Sequence, residues 1–239
     1  MSEDKSNSKV FLIPSILDEH ATYTIPAYVI DSVKKCEAFF VENERSGRRF
    51  LKSIWKEMVI DDYKWVTIHK AEERVRNEFA ALLKKGVNLG IISEAGCPGV
   101  ADPGQILIAV AQQKGATVVP LVGPNSILLA LMASGLNGQQ FQFVGYLPID
   151  YTEKVKVLKQ LESESAKKNC TQIFIETPYR NNQLLDTILK SWSPQTKLCI
   201  AVNITSEHET IITRTIGDWR QHKPDLHKKP AVFLMLAIG

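Results

Sequence analysis

The chain has 239 residues, of which 44% are hydrophobic and 23% are charged, and its 29 Lys and Arg against 26 Asp and Glu give a formal net charge of +3. This composition is typical of a folded globular protein and excludes a disordered chain, a collagen and a coiled coil. The small net charge argues against a dedicated DNA-coating protein, while a local cluster of basic residues still permits contacts to phosphate.

The apolar runs and the cysteines bear on location and on metal binding. The longest apolar runs fall well short of the roughly 18–20 residues that a membrane span needs. The polar N-terminus carries both charge signs, unlike a secretory signal. We therefore expect a cytoplasmic protein with no membrane partner. The four cysteines and five histidines are scattered along the chain, whereas disulfide frameworks and metal sites need clustered ligands, so we expect free thiols and no metal.

Short β-branched runs alternate with helical patterns through the first half of the chain. The predicted strands are Val10–Ile13, Ala38–Val41, Trp65–Ile68, Asn88–Ile92 and Thr117–Leu121. Helices are predicted at Glu72–Lys85 and Gln105–Lys114, each closed by a glycine. Apolar strands separated by helices favour an α/β domain with a mostly parallel sheet covered on both faces.

The pattern changes after Leu121, where a Val-Gly-Pro-Asn turn is followed by an apolar helix at Ser126–Ser134. Further strands are predicted at Phe141–Val144, Thr171–Ile175, Lys197–Val202, Thr210–Arg214 and Ala231–Ala237, with helices at Thr152–Ser165 and Asn181–Lys190. The strands flanking Ser206–His208 are joined by a short turn and are expected to be antiparallel. We therefore predict two α/β domains, residues 1–122 and 123–239, the second with a mixed sheet, and a ligand cleft between them.

The densest functional signal is the segment Ser93–Gly104, Ser-Glu-Ala-Gly-Cys-Pro-Gly-Val-Ala-Asp-Pro-Gly. It begins where a predicted strand ends, which is the edge of an open α/β sheet where ligands bind. Its glycines and prolines give a stiff, sharply turned loop whose backbone a ligand can approach closely. A plain strand–helix connection is the alternative, but such connections usually take only about 2–6 residues. The fingerprints of dinucleotide-binding folds, P-loop NTPases, α/β-hydrolases and zinc proteases are absent from the sequence.

This segment resembles the Ser-Asp-Ala-Gly-Thr-Pro-Gly-Ile-Ser-Asp-Pro-Gly signature of the ribosomal RNA small subunit methyltransferase I family, within the tetrapyrrole methylase superfamily. The resemblance continues through Val119–Ser126, Ala133–Leu136, Phe143–Pro148 and Glu176–Arg180. It implies a methyltransferase that binds S-adenosylmethionine between two α/β domains and forms a homodimer. The cofactor-binding residues that it implies are Glu94, Ala95, Gly96, Cys97, Pro98 and Gly99, with Ser126 and Ile127 at the start of the first helix of the second domain.

The sequence departs from the family mainly on the expected substrate side. The family's Glu-Asp-Thr-Arg after the second strand appears here as Glu42-Asn43-Glu44-Arg45, and an Arg-Glu pair is replaced by Val202-Asn203. Methyl transfer needs alignment and, for a ribose hydroxyl, a base. Glu42 and His69 are the candidate bases, and Arg45 is a candidate to position a phosphate. The alternatives are an ion pair between Glu42 and Arg45 and a turn-capping role for His69.

Arg45, Arg48, Arg49, Lys52 and Lys56 form a local basic cluster. On a helix, all but Arg48 fall on one side and form a stripe that suits phosphate contacts. A solvated helix face is the alternative. The sequence thus leaves three hypotheses: 2′-O-ribose methylation of small-subunit rRNA, methylation of a tetrapyrrole or other small molecule, and a cofactor-binding protein with degenerate catalysis.

Overall fold

The computed structural model describes residues 8–68 and 73–237 of the chain. The chain divides after Asn125 into two compact units. Each unit is built on its own five-stranded sheet, and each is described separately below.

The first unit contains a fully parallel sheet. Its strands are β1 Lys9–Ile13, β2 Ala38–Val41, β3 Lys64–Thr67, β4 Leu89–Ile92 and β5 Thr117–Pro120. They lie in the order β3-β2-β4-β1-β5, and every neighbouring pair is parallel. The parallel sheet predicted from the alternation of strands and helices is confirmed. Parallel strands place all their carboxyl ends at one edge, and this edge carries the loops described in the next section.

Helices cover both faces of this sheet, as its continuous apolar strands require. They are α1 Tyr28–Val33, α2 Glu44–Ile54, α3 Glu73–Lys84 and α4 Gly104–Gln113. On one face Phe79 of α3 and Leu107 of α4 join the buried cluster that includes Phe40. On the other face Val29 of α1 and Leu51 of α2 pack into the cluster that includes Phe39. Phe39 and Phe40 point to opposite faces because successive strand side chains alternate.

The second unit contains a mixed sheet, as predicted. Its strands are β6 Phe141–Tyr146, β7 Thr171–Ile175, β8 Lys197–Val202, β9 Thr210–Thr215 and β10 Ala231–Leu236, in the order β6-β7-β10-β8-β9. Strands β6 and β7 are parallel, and the other three neighbouring pairs are antiparallel. The expected antiparallel pairing on either side of Ser206–His208 is confirmed by β8 and β9.

The helices of this unit are α5 Ser126–Ser134, α6 Tyr151–Lys168, α7 Asn181–Ser191 and α8 Ile216–Gln221. Trp192 after α7 and Trp219 of α8 belong to one buried cluster with Phe174 and Phe233. Helix α5 packs against the other face of the sheet. Thr213 of β9 donates a hydrogen bond to the Ser134 carbonyl of α5, whereas the next residue, Arg214, lies over Trp219 of α8. Successive side chains of a strand point to opposite faces, so α5 and α8 lie on opposite sides of the sheet.

Some predicted boundaries shift. Helix α3 ends at Lys84 rather than Lys85, α6 extends to Lys168 rather than Ser165, and no bounds are predicted for α1, α2 and α8. All four cysteines are free thiols. None of the described helices combines the length and the apolar character that crossing a membrane takes.

Candidate functional site

A cavity of about 390 Å³ opens at the carboxyl edge of the parallel sheet in the first unit. Strands β2, β4 and β1 are neighbours in the sheet, so the segments that follow them meet there. The walls come from 15–19 after β1, from 41–43 at the end of β2, from α2 and from 92–95 at the end of β4. Ligands bind at this edge in open α/β sheets.

Loop Ser93–Gly104 is held to the segment after β1 by backbone hydrogen bonds. The Ser15 N–H donates to the Gly96 carbonyl at 2.8 Å, and the Gly96 N–H donates to the Ser15 carbonyl at 3.2 Å. The two buried serine hydroxyls add to this: Ser15 Oγ donates to the Ser93 carbonyl at 2.7 Å, and Ser93 Oγ donates to the Gly96 carbonyl at 3.1 Å. The contacts within the first unit therefore hold the loop in a defined shape.

The sharp turns of this loop lie in the left-handed region of backbone conformation. Gly96 has φ of 76°, Gly99 of 84° and Ala101 of 59°. The Asp102 carboxylate accepts hydrogen bonds from the N–H groups of Gly99 at 2.8 Å and Gly104 at 2.6 Å. Burial raises the pKa of Asp102, and these two hydrogen bonds lower it in part. Asp102 thus fixes the second turn of the loop to the start of α4.

The segment before the second unit packs against the same loop. Cys97 Sγ donates to the Pro124 carbonyl at 3.5 Å, and burial raises the pKa of this thiol. A Cβ added to Gly123 would lie 2.2 Å from Pro14 Cβ, so only glycine fits there. The predicted cofactor segment Glu94–Gly99 is therefore anchored on both sides within the first unit, with Glu94 and Ala95 exposed and Gly96 and Pro98 buried.

Glu42 joins the ends of β2 and β4. Its Oε1 accepts a hydrogen bond from the Glu94 N–H at 2.8 Å. Partial burial raises the pKa of Glu42, the Glu94 N–H lowers it, and the charges of Asp102 and Glu94 raise it further. Its Oε2 accepts no hydrogen bond from the described residues. The Glu94 side chain in turn accepts a hydrogen bond from Ser46 Oγ on α2.

Asn43 is the N-cap of α2, since its Oδ1 accepts hydrogen bonds from the N–H groups of Arg45 at 3.0 Å and Ser46 at 3.2 Å. Asn and Asp are both good N-caps, so the departure from the family's Asp keeps this role. Arg45 is exposed in the first turn of α2. Glu42 and Arg45 form no ion pair in the described part of the chain, so that alternative is wrong.

The predicted basic cluster is only partly available for phosphate contacts. Arg48 pairs with Glu44 at 2.5 Å and lies over the Trp65 ring at 5.4 Å. Lys52 Nζ donates to the Met58 carbonyl at 2.7 Å. Lys56 lies beyond the end of α2 at Ile54 and does not belong to the stripe. The exposed guanidinium groups left on this face are Arg45 and Arg49, and Arg49 lines the cavity.

The remaining predicted site residues are His69, Ser126 and Ile127. His69 falls outside the described residues. Ser126 and Ile127 open α5 in the second unit, and their cofactor role stays a prediction. Sequence reasoning missed Ser15, Ser46 and Asp102 as site residues. Among residues 8–68 and 73–237, no group of three His, Cys, Asp or Glu side chains is placed to hold a metal ion.

The sequence is similar to those of several bacterial methyltransferases. A protein of Vibrio cholerae named ribosomal RNA small subunit methyltransferase I is 37% identical over 129 residues, covering 54% of this chain and 43% of the relative. Proteins of the same name from Bacillus subtilis and Escherichia coli O157:H7 are 29% and 27% identical over 87% and 91% of this chain. Across these three proteins, the matched segments span 43%, 68% and 72% of the relatives' own lengths.

The fold is also found in a solved structure. The crystal structure of the methyltransferase CobJ matches with a TM-score of 0.63 at 14% identity, covering 96% of this chain and 93% of that chain. The family model described as Tetrapyrrole (Corrin/Porphyrin) Methylases matches residues 24–219. The resemblance found in the sequence is confirmed, and the chain belongs to the tetrapyrrole methylase family of methyltransferase enzymes.

Proposed function

We propose that this chain transfers a methyl group from S-adenosylmethionine to RNA of the small ribosomal subunit, with a ribose 2′-hydroxyl as the acceptor. One observation carries the proposal: Glu94 and Ala95 belong both to the Ser93–Gly104 loop and to the wall of the cavity. A methyl donor held by the loop borders the space that an acceptor enters. The names of the bacterial relatives suggest the RNA substrate.

The loop suits the chemistry of S-adenosylmethionine. When bound, this cofactor supplies an activated methyl group on a positively charged sulfur. The Glu94 carboxylate at the cavity wall attracts positive charge and can accept hydrogen bonds from ribose hydroxyls. The left-handed turns at Gly96 and Gly99 let the loop bend sharply with no Cβ in the path of a ligand. Ala95, Cys97 and Pro98 complete the cofactor segment.

Glu42 is the proposed base for the acceptor hydroxyl. Its Oε1 is held by the Glu94 N–H at 2.8 Å, which fixes the carboxylate and leaves Oε2 for the acceptor. The raised pKa of Glu42 makes it a stronger base than an exposed glutamate. Arg45 and Arg49 stand beside it to receive the flanking phosphates.

The charge of the cavity favours a nucleoside over a tetrapyrrole. Among the described residues, four carboxylates line it, those of Asp18, Glu19, Glu42 and Glu94, against the single guanidinium of Arg49. Tetrapyrrole precursors carry several carboxylates of their own, which this lining repels. A ribose brings hydrogen-bond donors instead, and its phosphates remain outside, near the arginines of α2. The small-molecule hypothesis therefore has less support.

The test is labelled methyl transfer. Small ribosomal subunits from a strain lacking this chain are incubated with the protein and S-adenosylmethionine labelled in the methyl group. We expect one labelled nucleotide, with the label on the ribose after mapping by mass spectrometry. Label on a base contradicts the ribose assignment, and label found only in added porphyrinogens contradicts the RNA assignment.

We also propose that the chain acts as a cytoplasmic homodimer. Ribosomal substrates suit the cytoplasm. Helix α5 exposes two large apolar side chains on one side, with Leu128 48% and Met132 79% exposed. Residues four apart share a helix face, so these two side chains form a single apolar strip. A second copy of the chain is the proposed partner that buries this strip, because burial of apolar surface favours association.

A further inference from the structure

In the second unit, the segment before β10 is pinned to the start of α7. Asn181 Nδ2 donates to the Lys229 carbonyl at 2.7 Å, and the Leu226 N–H donates to Asn182 Oδ1 at 2.8 Å. Asn182 Nδ2 also donates to Asp225 Oδ1 at 2.7 Å. Asn181 and Leu226 are almost completely buried. This segment therefore has a fixed shape although it contains no helix or strand.

The same segment is joined to the turn that follows β7. The end of β7 and the start of β10 are neighbours, since Val232 pairs with Ile175. Lys228 has φ of 59°, and its N–H donates to the Pro178 carbonyl at 3.1 Å. Beside this contact, Tyr179 is 71% exposed and its ring meets the His227 ring edge-on, with centroids 6.3 Å apart.

The acidic groups of this region are already engaged, and so are two of its cations, since Arg180 pairs with Glu176 and Lys229 Nζ donates to the Asp225 carbonyl at 2.8 Å. The buried Glu176 carboxylate is 2.6 Å from Arg180 and 4.0 Å from Lys154. The Asp225 carboxylate accepts hydrogen bonds from the Asn182 side chain and from the His227 N–H, and the first of these is the main reason that its pKa is lowered. Lys228 is exposed and forms no ion pair with any described residue.

We propose that this surface, residues 177–180 and 225–229, is a platform for single-stranded RNA outside the catalytic cavity. Tyr179 stacks on one base, and Lys228, with His227 and Lys229 beside it, contacts the adjoining phosphates. Exposed aromatic rings set among cations are the means by which proteins hold unpaired RNA without reading its sequence. Because the platform is already rigid, binding orders little of the protein. This inference rests on the proposed RNA substrate and extends it to the second unit.

The test measures binding of a 12-nucleotide single-stranded RNA at several salt concentrations. Removing the stacked ring in Tyr179→Ala is expected to weaken binding by about 5- to 150-fold, whereas Tyr179→Phe retains it. Lys228→Gly keeps the left-handed backbone and removes the charge. It is expected to reduce the slope of log affinity against log salt by about 0.7.

The matched control is Lys168→Ala, which removes an exposed lysine near the opposite end of β7 and leaves binding unchanged. Circular dichroism of each variant checks the fold. RNA binding that is unaffected by both Tyr179→Ala and Lys228→Gly overturns the platform alone, and cofactor-dependent methyl transfer then continues to support the proposed function. A wild-type chain that binds no RNA at low salt overturns both proposals.

Discussion

At the scale of single residues, the proposed base Glu42 is held to the loop by one hydrogen bond from the Glu94 N–H. Glu42→Gln keeps an acceptor for that N–H and removes the base. We expect kcat to fall by about 10²- to 10⁴-fold, with an unchanged Kd for S-adenosylmethionine by calorimetry. A Glu42→Gln enzyme that retains full turnover contradicts the assignment of Glu42 as the base.

The pH dependence follows from the direction of the pKa of Glu42, which burial raises above the ordinary value of 4.5. The base acts when ionised, so wild-type activity rises as pH increases through the raised pKa and then levels off. The effect on stability has the opposite sign: the folded state holds this proton more tightly, so the stability contributed by protonated Glu42 is lost as pH rises through the raised pKa. At pH 7, Glu42→Gln is therefore expected to melt no lower than the wild type.

A substitution at Gly96 tests whether the segment Glu94–Gly99 binds the cofactor. A Cβ there would meet only ordinary contacts, at 3.5 Å from Leu17 Cδ2 and the Pro124 carbonyl, so the constraint on this position is its φ of 76°. Gly96→Val forces a β-branched residue into the left-handed region and is expected to abolish detectable cofactor binding by calorimetry. Gly138→Val is the control, because Gly138 has open space around it and no positive φ. Normal binding by Gly96→Val rejects this placement of the cofactor.

At the scale of elements, α2 begins at the N-cap Asn43, carries the exposed guanidinium groups of Arg45 and Arg49, and forms part of the cavity wall. Asn43→Ala removes the side chain that accepts from two N–H groups at the start of α2. We expect a loss of about 1 kcal/mol in the free energy of unfolding, measured with urea. Asn43→Asp restores the family's residue and keeps the cap. Equal stability of the alanine variant and the wild type contradicts the capping role.

The two adjacent arginines of α2, Arg48 and Arg49, have different surroundings in the structure. Arg49 lines the cavity and is exposed, whereas Arg48 pairs with Glu44 and lies over Trp65. Arg49→Ala is expected to flatten the salt dependence of RNA binding by about 0.7–0.9 in log–log slope. Arg48→Ala leaves this slope unchanged. A flattened slope in Arg48→Ala with no change in Arg49→Ala reverses the assignment.

Much of the element pattern was predictable, because the β-branched runs and the helix-closing glycines are local signals. The contacts within the site were not predictable from the sequence. Glu42 contacts Glu94 because β2 lies beside β4 in the sheet, although β3 lies between these two strands in the chain. The engagement of Arg48 likewise needs Trp65 from another strand. The left-handed turns at Ala101 and Lys228 carry no glycine to signal them.

At the scale of the whole molecule, the exposed strip on α5 tests the homodimer. Light scattering at micromolar concentration is expected to give twice the chain mass for the wild type and the single chain mass for Met132→Asp. Met132 is 79% exposed, so the change leaves the fold intact. Val59→Asp, at an exposed apolar residue of the first unit, is the control and remains a dimer. A monomeric wild type contradicts the proposal.

The hydrogen bond from Ser46 to the Glu94 side chain has a thermodynamic consequence. A ligand that binds the Glu94 carboxylate competes with Ser46 of α2 for the same acceptor. Binding at the loop therefore changes the stability of α2, the helix that carries Arg45 and Arg49. Linkage makes this effect reciprocal: whatever factor the methyl donor imposes on RNA affinity, RNA imposes on donor affinity. Through this contact, each substrate changes the affinity of the other by the same factor, whichever of them binds first.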